Sequence, residues 1–372
     1  MKSIKEIKNL KGKKVLVRVD FNVPIKNGKV EDDFRIQRAL PTIKFLQKSG
    51  ARIILITHLG KGGESLLSVS KVLNKFIKIK FIPEIIGENT TKMVGVMKNS
   101  DVILLENLRN NEGEKACNKI FALNLAKLAD IYVNEAFPVS HREDSSIVLL
   151  PKLLPSYAGL QLENEVKNLS KTIKSPVHPF LFILGGAKFS TKMPLIKKYL
   201  KLADFVFVGG ALLDDFLKVE GYEIGKSLVD DENFGIKKLL KNKKLIIPEY
   251  VLVKNSLGKF VQKNEKDILK DDTIIDVGEK SVKLLEPIIK KSKLILWNGP
   301  LGKYEDGGAG ATKEILKMVA NSKAESILGG GDTTELIDEL KLQNKFSFVS
   351  TGGGSTLDFL ANGTLPGIKA LK

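Results

Sequence analysis

The feature that most constrains the fold is a series of short apolar runs that alternate with helical patterns along the chain. The amphipathic patterns include Leu195–Leu202, Val282–Ile289 and Thr334–Leu340. Strands that are apolar throughout and alternate with helices are typical of parallel sheets covered on both faces. The sequence therefore predicts an α/β fold. The apolar runs are Val15–Val19, Ile53–Ile56, Val102–Leu105, Ile131–Val133, Phe180–Leu184, Phe205–Val208, Leu245–Ile247, Ile274–Val277, Leu294–Trp297, Ser326–Leu328 and Phe346–Val349.

The chain length of 372 residues suits two or three domains, each with its own core. Pro151 and Pro155 precede a polar amphipathic helical pattern at 157–173, and a further proline-containing segment follows it. We interpret this pattern as a connecting helix, 158–174, between a first lobe at 1–157 and a second lobe at 175–356.

Composition excludes several classes of protein. No apolar stretch reaches the 18 residues of a membrane span, and the lysine-rich N-terminus lacks the apolar region of a secretory signal. With Cys117 as its single cysteine, the chain cannot form an internal disulfide, so we expect a cytoplasmic protein. We attribute the net charge of +17 mainly to general lysine enrichment. We expect no membrane partner, no specific nucleic-acid partner and a monomer.

The six arginines all lie before residue 143. Where lysine is the usual cation, an arginine suggests a need for its planar fork of donors, which binds carboxylate or phosphate bidentately. For Arg38 and Arg52, chance clustering of a rare residue type remains an alternative to a functional role. The other four are Arg18, Arg35, Arg109 and Arg142.

In the second half, glycine-rich segments follow the predicted strands. They are "ILGGAK" (183–188), "FVGGAL" (207–212), "LWNGPLG" (296–302), "ILGGGDT" (327–333) and "VSTGGGS" (349–355). Glycine allows close approach to the backbone, and the helix behind each loop presents unpaired N–H groups to an anion. One such loop is often only a tight turn, but five in one lobe predict a ligand with several phosphates, such as a nucleotide.

Two charged positions support this prediction. Lys188 and Lys192 stand at the predicted start of a helix, where the helix dipole disfavours cations, so we expect them to face a shared phosphate. Asp332 also lies at a predicted helix start, where it could be a helix cap, a magnesium ligand beside the phosphates, or both.

Charged and polar side chains follow the strands of the first half, in "VRVDFNVP" (17–24), "ITHLGK" (56–61), "LLENLR" (104–109) and "YVNEAFPVSHR" (132–142). Ligands of such folds sit beyond the carboxyl ends of the strands, so these groups predict a basic pocket for a small polyanion. The residues are Arg18, Asp20, Asn22, Arg35, His58, Lys61, Arg109 and Arg142.

At this point the chain closely resembles the phosphoglycerate kinase family. The matching motifs are "VRVDFNVP", "THLG", "ENLR", "SHR-x-x-SS", "LGGAKFSTK", "WNGPLG", "GGGDT" and "STGGGSTL", in the family's order. The ending "NGTLPGIKAL" also resembles the family's closing segment. The resemblance implies two Rossmann-like lobes joined by a hinge helix, with a C-terminal segment, 357–372, that returns to the N-terminal lobe.

The resemblance further implies a reversible phosphoryl transfer between 1,3-bisphosphoglycerate and Mg-ADP. The glycerate substrate would bind in the first lobe, to Asp20, Phe21, Asn22, Arg35, His58, Leu59, Gly60, Lys61, Arg109 and Arg142. The nucleotide, ADP or ATP, would bind in the second, to Lys188, Lys192, Gly209, Gly210, Asn298, Pro300, Glu305, Gly330, Gly331, Asp332 and Thr333. Asp332 would hold Mg²⁺, and the catalytic set would be Arg35, Lys188, Lys192 and Gly353.

Two positions depart from the family pattern: Lys61 stands where it has arginine, and Asp144 where it has a second histidine. We expect both departures to affect the affinity for the substrate more than the reaction itself. The chemistry needs no general base, because the accepting carboxylate and phosphate oxygens carry no proton at neutral pH. It needs positive potential around the migrating group, and we expect bending around the connecting helix to exclude water.

Two other functions stay open from the residues alone. One is a basic anion-binding or nucleic-acid-binding protein of the same fold. The other is a different acyl-phosphate kinase, which would need a different substrate pocket.

Overall fold

The structure is a computed structural model that describes residues 1–187, 189–230 and 235–371. The chain divides into two compact units: Met1–Lys167 with Thr364–Lys372, and Asn168–Gly363. The division falls within the predicted connecting helix, and residues 357–363 of the predicted returning segment belong to the second unit. No described helix is both long enough and apolar enough to cross a membrane.

The first unit is built on a six-stranded parallel sheet. Its strands are β1 (Lys14–Arg18), β4 (Arg52–Ile56), β5 (Lys80–Ile82), β6 (Val102–Leu105), β7 (Ile131–Asn134) and β8 (Ser156–Ala158), while β2 (Ile25–Lys26) and β3 (Lys29–Val30) form a small hairpin. The spatial order of the sheet is β5-β6-β4-β1-β7-β8. The central strands are buried, as their apolar sequences require.

Helices cover this sheet, and the last of them extends into the second unit. They are α1 (Phe34–Lys48), α2 (Leu67–Leu73), α3 (Glu88–Gly95), α4 (Glu112–Lys115), α5 (Lys119–Ala126), α6 (Ser145–Val148), α7 (Leu150–Leu153) and α8 (Leu160–Lys174). The predicted connecting helix is α8, but residues 156–158, just before it, form strand β8.

The second unit contains another six-stranded parallel sheet, in the order β11-β10-β9-β15-β16-β17. Its strands are β9 (Phe180–Leu184), β10 (Phe205–Val208), β11 (Leu245–Ile246), β15 (Leu294–Asn298), β16 (Glu325–Gly329) and β17 (Phe348–Val349). The helices are α9 (Phe189–Leu202), α10 (Ala211–Glu220), α11 (Ile236–Leu239), α12 (Glu279–Lys291), α13 (Gly310–Ala320), α14 (Gly331–Glu339) and α15 (Gly354–Asn362); α16 (Pro366–Lys369) belongs to the first unit.

One predicted strand pairs differently from expectation. The run Ile274–Val277 lies in β14 (Thr273–Val277), which joins a three-stranded antiparallel sheet with β12 (Tyr250–Lys254) and β13 (Phe260–Asn264). β12 and β13 form a hairpin whose turn includes Gly258 at φ +74°. Such a local connection produces antiparallel pairing, which an apolar run by itself does not distinguish from parallel pairing.

The first N–H groups of helix α8 donate hydrogen bonds to a buried carboxyl group. Glu135 follows β7, and its side chain accepts hydrogen bonds from the backbone N–H groups of Gln161 and Leu162 and from the Thr42 hydroxyl. A Cβ at Gly159 would lie 2.0 Å from Glu135 Oε2, so any larger residue there would displace the Glu135 carboxyl group. Burial raises the pKa of Glu135 to about 8, although these three donors oppose the shift.

This pKa predicts how stability changes with pH. Because the folded protein binds the Glu135 proton more tightly than the unfolded chain does, its contribution to stability should decline as pH rises from about 4.5 to about 8. Glu135→Gln, which mimics the neutral side chain, should flatten the fall of the melting temperature over this range. Glu106→Gln is the matched control, since Glu106 also accepts backbone N–H groups but is less buried. An equal slope in Glu135→Gln and wild type would contradict the assignment.

Candidate functional site

In the first unit, the loops after neighbouring parallel strands meet at one sheet edge. The Phe21 N–H donates to Thr57 Oγ1 at 2.9 Å, and the Gly60 N–H donates to Asn22 Oδ1 at 2.9 Å. Arg109 donates from Nη1 to the Gly60 carbonyl. The segments after β1, β4 and β6 are therefore held together by hydrogen bonds, as the strand order predicts. Leu59 is buried among them, with its N–H donating to Asn107 Oδ1.

Arg35 reaches this edge from the first turn of α1. Its Nη1 donates to Asp20 Oδ2 at 2.7 Å and to the Asn22 carbonyl at 3.3 Å. The Asp20 side chain is 3% exposed and that of Arg35 is 32% exposed, so the carboxylate is the buried member that orients a partly exposed guanidinium. The remaining donors of the Arg35 fork suit an oxyanion.

His58 is a neutral hydrogen-bond donor at the same edge. Its pKa is lowered to about 2, first by burial and then by the positive charges of Arg18, Arg142, Arg35 and Lys115. Arg18 Nη2 lies 3.2 Å from His58 Nδ1, and because a guanidinium only donates, Nδ1 accepts and Nε2 carries the proton. His58 Nε2 is buried and has no hydrogen-bond partner among the described residues.

Four positively charged side chains lie close enough to His58 to lower its pKa. Arg142 acts on His58 electrostatically, and so does Lys115, which the sequence did not single out. Lys61 is exposed, and its carbonyl accepts a hydrogen bond from Lys115 Nζ at 2.7 Å. Lys115 lies on the short helix α4, away from any strand end, so strand-end reasoning misses it.

In the second unit, a cleft of about 310 Å³ lies beside the loops that follow β9, β10, β15 and β16. It includes four of the predicted nucleotide-binding residues, Gly210, Pro300, Glu305 and Asp332. The remaining lining residues are Gly186, Ala187, Ala211, Leu228, Gly302, Lys303, Tyr304 and Asp306.

The glycines of these loops pack backbone against backbone. A Cβ at Gly185 would lie 2.0 Å from the Pro300 carbonyl oxygen, and one at Gly299 would lie 2.5 Å from that of Gly185. Gly210 has φ +63°, and its Cβ would lie 2.6 Å from the Gly186 nitrogen. These positions must be glycine for packing reasons. Gly209 likewise packs against Leu301.

Lys192 lies in the first turn of α9, is 7% exposed, and sits against the β9 exit. A Cβ at Gly186 would lie 2.3 Å from Lys192 Nζ. The ammonium group is thus next to a residue of the cleft. The prediction for Lys188 lies outside the described residues.

Asp332 is an exposed carboxylate in the first turn of α14. The cap position is Gly330, and α14 has no side-chain cap hydrogen bond, so Asp332 is not the helix cap. Within the described residues, no three His, Cys, Asp or Glu side chains are grouped to hold a metal ion. One carboxylate without a full protein ligand set suits Mg²⁺ that arrives with phosphate oxygens.

Two buried polar atoms next to Gly329 and Gly330, at the end of β16, have no partner among the described residues. They are Thr333 Oγ1 and Asn298 Nδ2, for which the described residues supply no hydrogen-bond partner. A Cβ at Gly330 would contact Thr333 Oγ1 at 3.5 Å, and Gly331 has open space around it. Unsatisfied buried polar groups are rare in folded proteins, and a bound ligand is one explanation for them.

Gly353 occupies the cap position of α15, with φ −90° and ψ −91°. A Cβ there would meet no atom within 4 Å. There is therefore space for a ligand next to Gly353, at the N-terminus of α15.

The chain is similar to known proteins along nearly its whole length. A family model described as "Phosphoglycerate kinase" matches residues 4–363. A phosphoglycerate kinase of Dictyoglomus turgidum is 41% identical over 98% of this chain and 96% of its own length. One from a Wolbachia of Drosophila simulans is 42% identical over 98% of this chain and 97% of its own.

Solved structures agree with these relatives. A phosphoglycerate kinase from Coxiella burnetii superimposes with a TM-score of 0.86 at 35% identity, covering 99% of this chain and 97% of that chain. One from Pyrococcus horikoshii OT3 superimposes with a TM-score of 0.88 at 29% identity, covering 100% and 98%. Motifs, fold and both comparisons therefore show that this chain belongs to the phosphoglycerate kinase family.

Proposed function

We propose that this protein is an active phosphoglycerate kinase, which transfers a phosphoryl group reversibly between 1,3-bisphosphoglycerate and ADP. The observation that carries the proposal is the donor arrangement around His58, inside a chain that matches the family over residues 4–363. A neutral N–H donor surrounded by cations suits a phosphorylated carboxylic acid and offers no strong base.

In this proposal the glycerate substrate binds in the first unit. Arg35, Arg109 and Arg142 supply charged donors, and His58 Nε2 supplies a neutral one. Asp20 and Asn22 position Arg35 and Gly60, while Phe21 and Leu59 support the loops. Lys61 adds charge at the exposed rim.

The nucleotide binds in the second unit. Lys188 and Lys192 meet the migrating phosphoryl group, and the N-termini of α14 and α15, at Gly330–Thr333 and Gly353, face phosphate oxygens. Gly209, Gly210, Asn298 and Pro300 surround the adenosine, with Glu305 at the ribose. Mg²⁺, held by Asp332, would neutralise phosphate charge when bound.

The chemistry is then electrostatic. In a loose transition state the three equatorial oxygens of the phosphoryl group share negative charge, and fixed donors stabilise it without a proton transfer. His58, with a pKa of about 2, stays neutral at physiological pH and donates without accepting a proton. Bending of the chain around α8 to exclude water remains a prediction from the sequence.

A coupled assay tests the function directly. Consumption of ATP should depend on 3-phosphoglycerate and should not occur with acetate or aspartate in its place. ATP consumption with acetate alone would instead indicate a different acyl-phosphate kinase.

Loss of Arg35 should impair the reaction. Arg35→Ala removes a charged donor next to the substrate, so turnover should fall by roughly 100-fold or more. Arg52→Ala is the matched control, because Arg52 lies at the amino end of β4, where no ligand is expected. Thermal melting of both variants checks folding, and near-normal turnover in folded Arg35→Ala would contradict the role.

Lys192 should be needed for turnover. Lys192→Met keeps most of the side-chain volume and removes the charge, so turnover should fall by roughly 100-fold. Lys201→Met, an exposed lysine on the same helix, should leave turnover unchanged. If both variants retain full activity, the assignment of Lys192 to the phosphoryl group is wrong.

Magnesium dependence should be traceable to Asp332. Chelation should abolish activity and added Mg²⁺ should restore it. Asp332→Asn should raise the Mg²⁺ concentration needed for half-maximal rate, because it removes the charged ligand. Asp338→Asn, near the end of the same helix, serves as the control. A Mg²⁺ requirement identical in Asp332→Asn and wild type would argue against this ligand.

A further inference from the structure

A small recess adjoins the cleft of the second unit. The two share Gly210, Ala211, Gly302 and Lys303. The recess itself has a volume of about 10 Å³, which is close to the space of one water molecule. Its other walls are formed by Leu213, Asp214, Ile274, Ile275, Asp276 and Leu301. The recess thus combines apolar walls with two carboxylates.

Asp214 lines this recess and carries an acceptor that no described residue satisfies. The residue lies in the first turn of α10, is 2% exposed, and its Oδ1 is buried without a hydrogen-bond partner among the described residues. A carboxylate in a first helical turn is often explained by the helix dipole. Here the cap position is Gly210, and α10 has no side-chain cap hydrogen bond.

The neighbouring carboxylates differ from Asp214. Asp276 Oδ1 accepts from the Val277 N–H and its Oδ2 from the Ala311 N–H, both at 2.9 Å. Asp215 Oδ1 accepts from the Asp230 N–H at 2.9 Å. Of the two acids that line the recess, Asp214 is the one with a spare buried acceptor.

Lys303 is the charged counterpart of Asp214. Burial raises the pKa of Asp214 well above its usual range, the positive charge of Lys303 opposes this shift, and Asp215 reinforces it. Lys303 lines both the recess and the cleft. An unpaired buried carboxylate costs stability, so its position at a ligand cleft suggests that a ligand supplies the missing donor.

The chemistry of a nucleotide fits this position. With the phosphates assigned to Lys192 and the N-terminus of α14, the base requires apolar walls and a few polar groups that recognise its edge. Ile274, Ile275 and Leu301 supply the walls next to the cleft. Adenine carries an exocyclic amine that donates, whereas guanine presents a carbonyl oxygen at the same ring position.

We propose that Asp214 selects the nucleobase, with its free Oδ1 accepting a hydrogen bond from the exocyclic amine of adenine at the mouth of the recess. This inference rests on the proposed function in that it places a nucleotide in the cleft. The positive charge of Lys303 favours the ionised form of Asp214. In that form guanine is disfavoured, because its carbonyl oxygen faces a carboxylate oxygen, acceptor against acceptor. Lys303 keeps its charge close to the carboxylate.

Binding of diphosphates by calorimetry tests the proposal without the reaction. Wild type should bind ADP about tenfold to hundredfold more tightly than GDP, the range expected of a hydrogen bond to a charged group. Asp214→Asn should narrow this ratio at least tenfold, because its amide can donate to the guanine carbonyl. Asp215→Asn is the matched control and should keep the wild-type ratio.

A ligand-side experiment needs no variant. Purine riboside diphosphate lacks the amine, so wild type should bind it at least about tenfold more weakly than it binds ADP. The Asp214→Leu variant should bind purine riboside diphosphate and ADP with equal affinity. Equal affinity of wild type for the two ligands, or an ADP to GDP ratio unchanged in Asp214→Asn, would overturn the proposal. Loss of phosphoglycerate-dependent activity alone would overturn the proposed function while leaving these binding ratios intact.

Discussion

The close backbone contacts among the strand exits of the second sheet are the constraint on which its cleft depends. Gly185 and Gly299 approach each other and Pro300 at distances that exclude any side chain, and Gly210 approaches Gly186 in a left-handed conformation. Because these loops leave no room for Cβ atoms, their backbones converge and the helices behind them begin at the cleft. The glycines thus have a packing role that is also the condition for a phosphate site.

The two units present positive potential by different means. In the first unit it comes from side chains, where a buried Asp20 orients Arg35 and a buried Arg18 fixes which nitrogen of His58 carries its proton. In the second unit the proposed donors are helix N-termini and glycine backbone, with Lys192 Nζ next to Gly186. Side-chain forks suit a small substrate with carboxylate and phosphate groups, whereas N-termini suit a chain of phosphates.

Much of the fold followed from periodicity. Every central strand of the two parallel sheets was one of the predicted apolar runs, because strands covered on both faces must be apolar throughout. The peripheral elements did not follow: β5 and β8 are short and partly exposed, and β12 and β13 carry only an alternating or polar pattern. The pairing of β14 depended on its neighbour β12, which its own sequence does not reveal.

For the candidate sites, the sequence by itself determined which residues follow the strands. In parallel sheets this places His58 beside Asp20 and groups the glycine loops, and the motifs in those loops identified the family. Only the tertiary structure decided which polar atoms are buried and unpaired. The neutral state of His58, the role of Lys115 and the spare acceptor of Asp214 arise from burial and from charges distant in sequence. Desolvation depends on what surrounds a group in three dimensions, and local sequence does not record it.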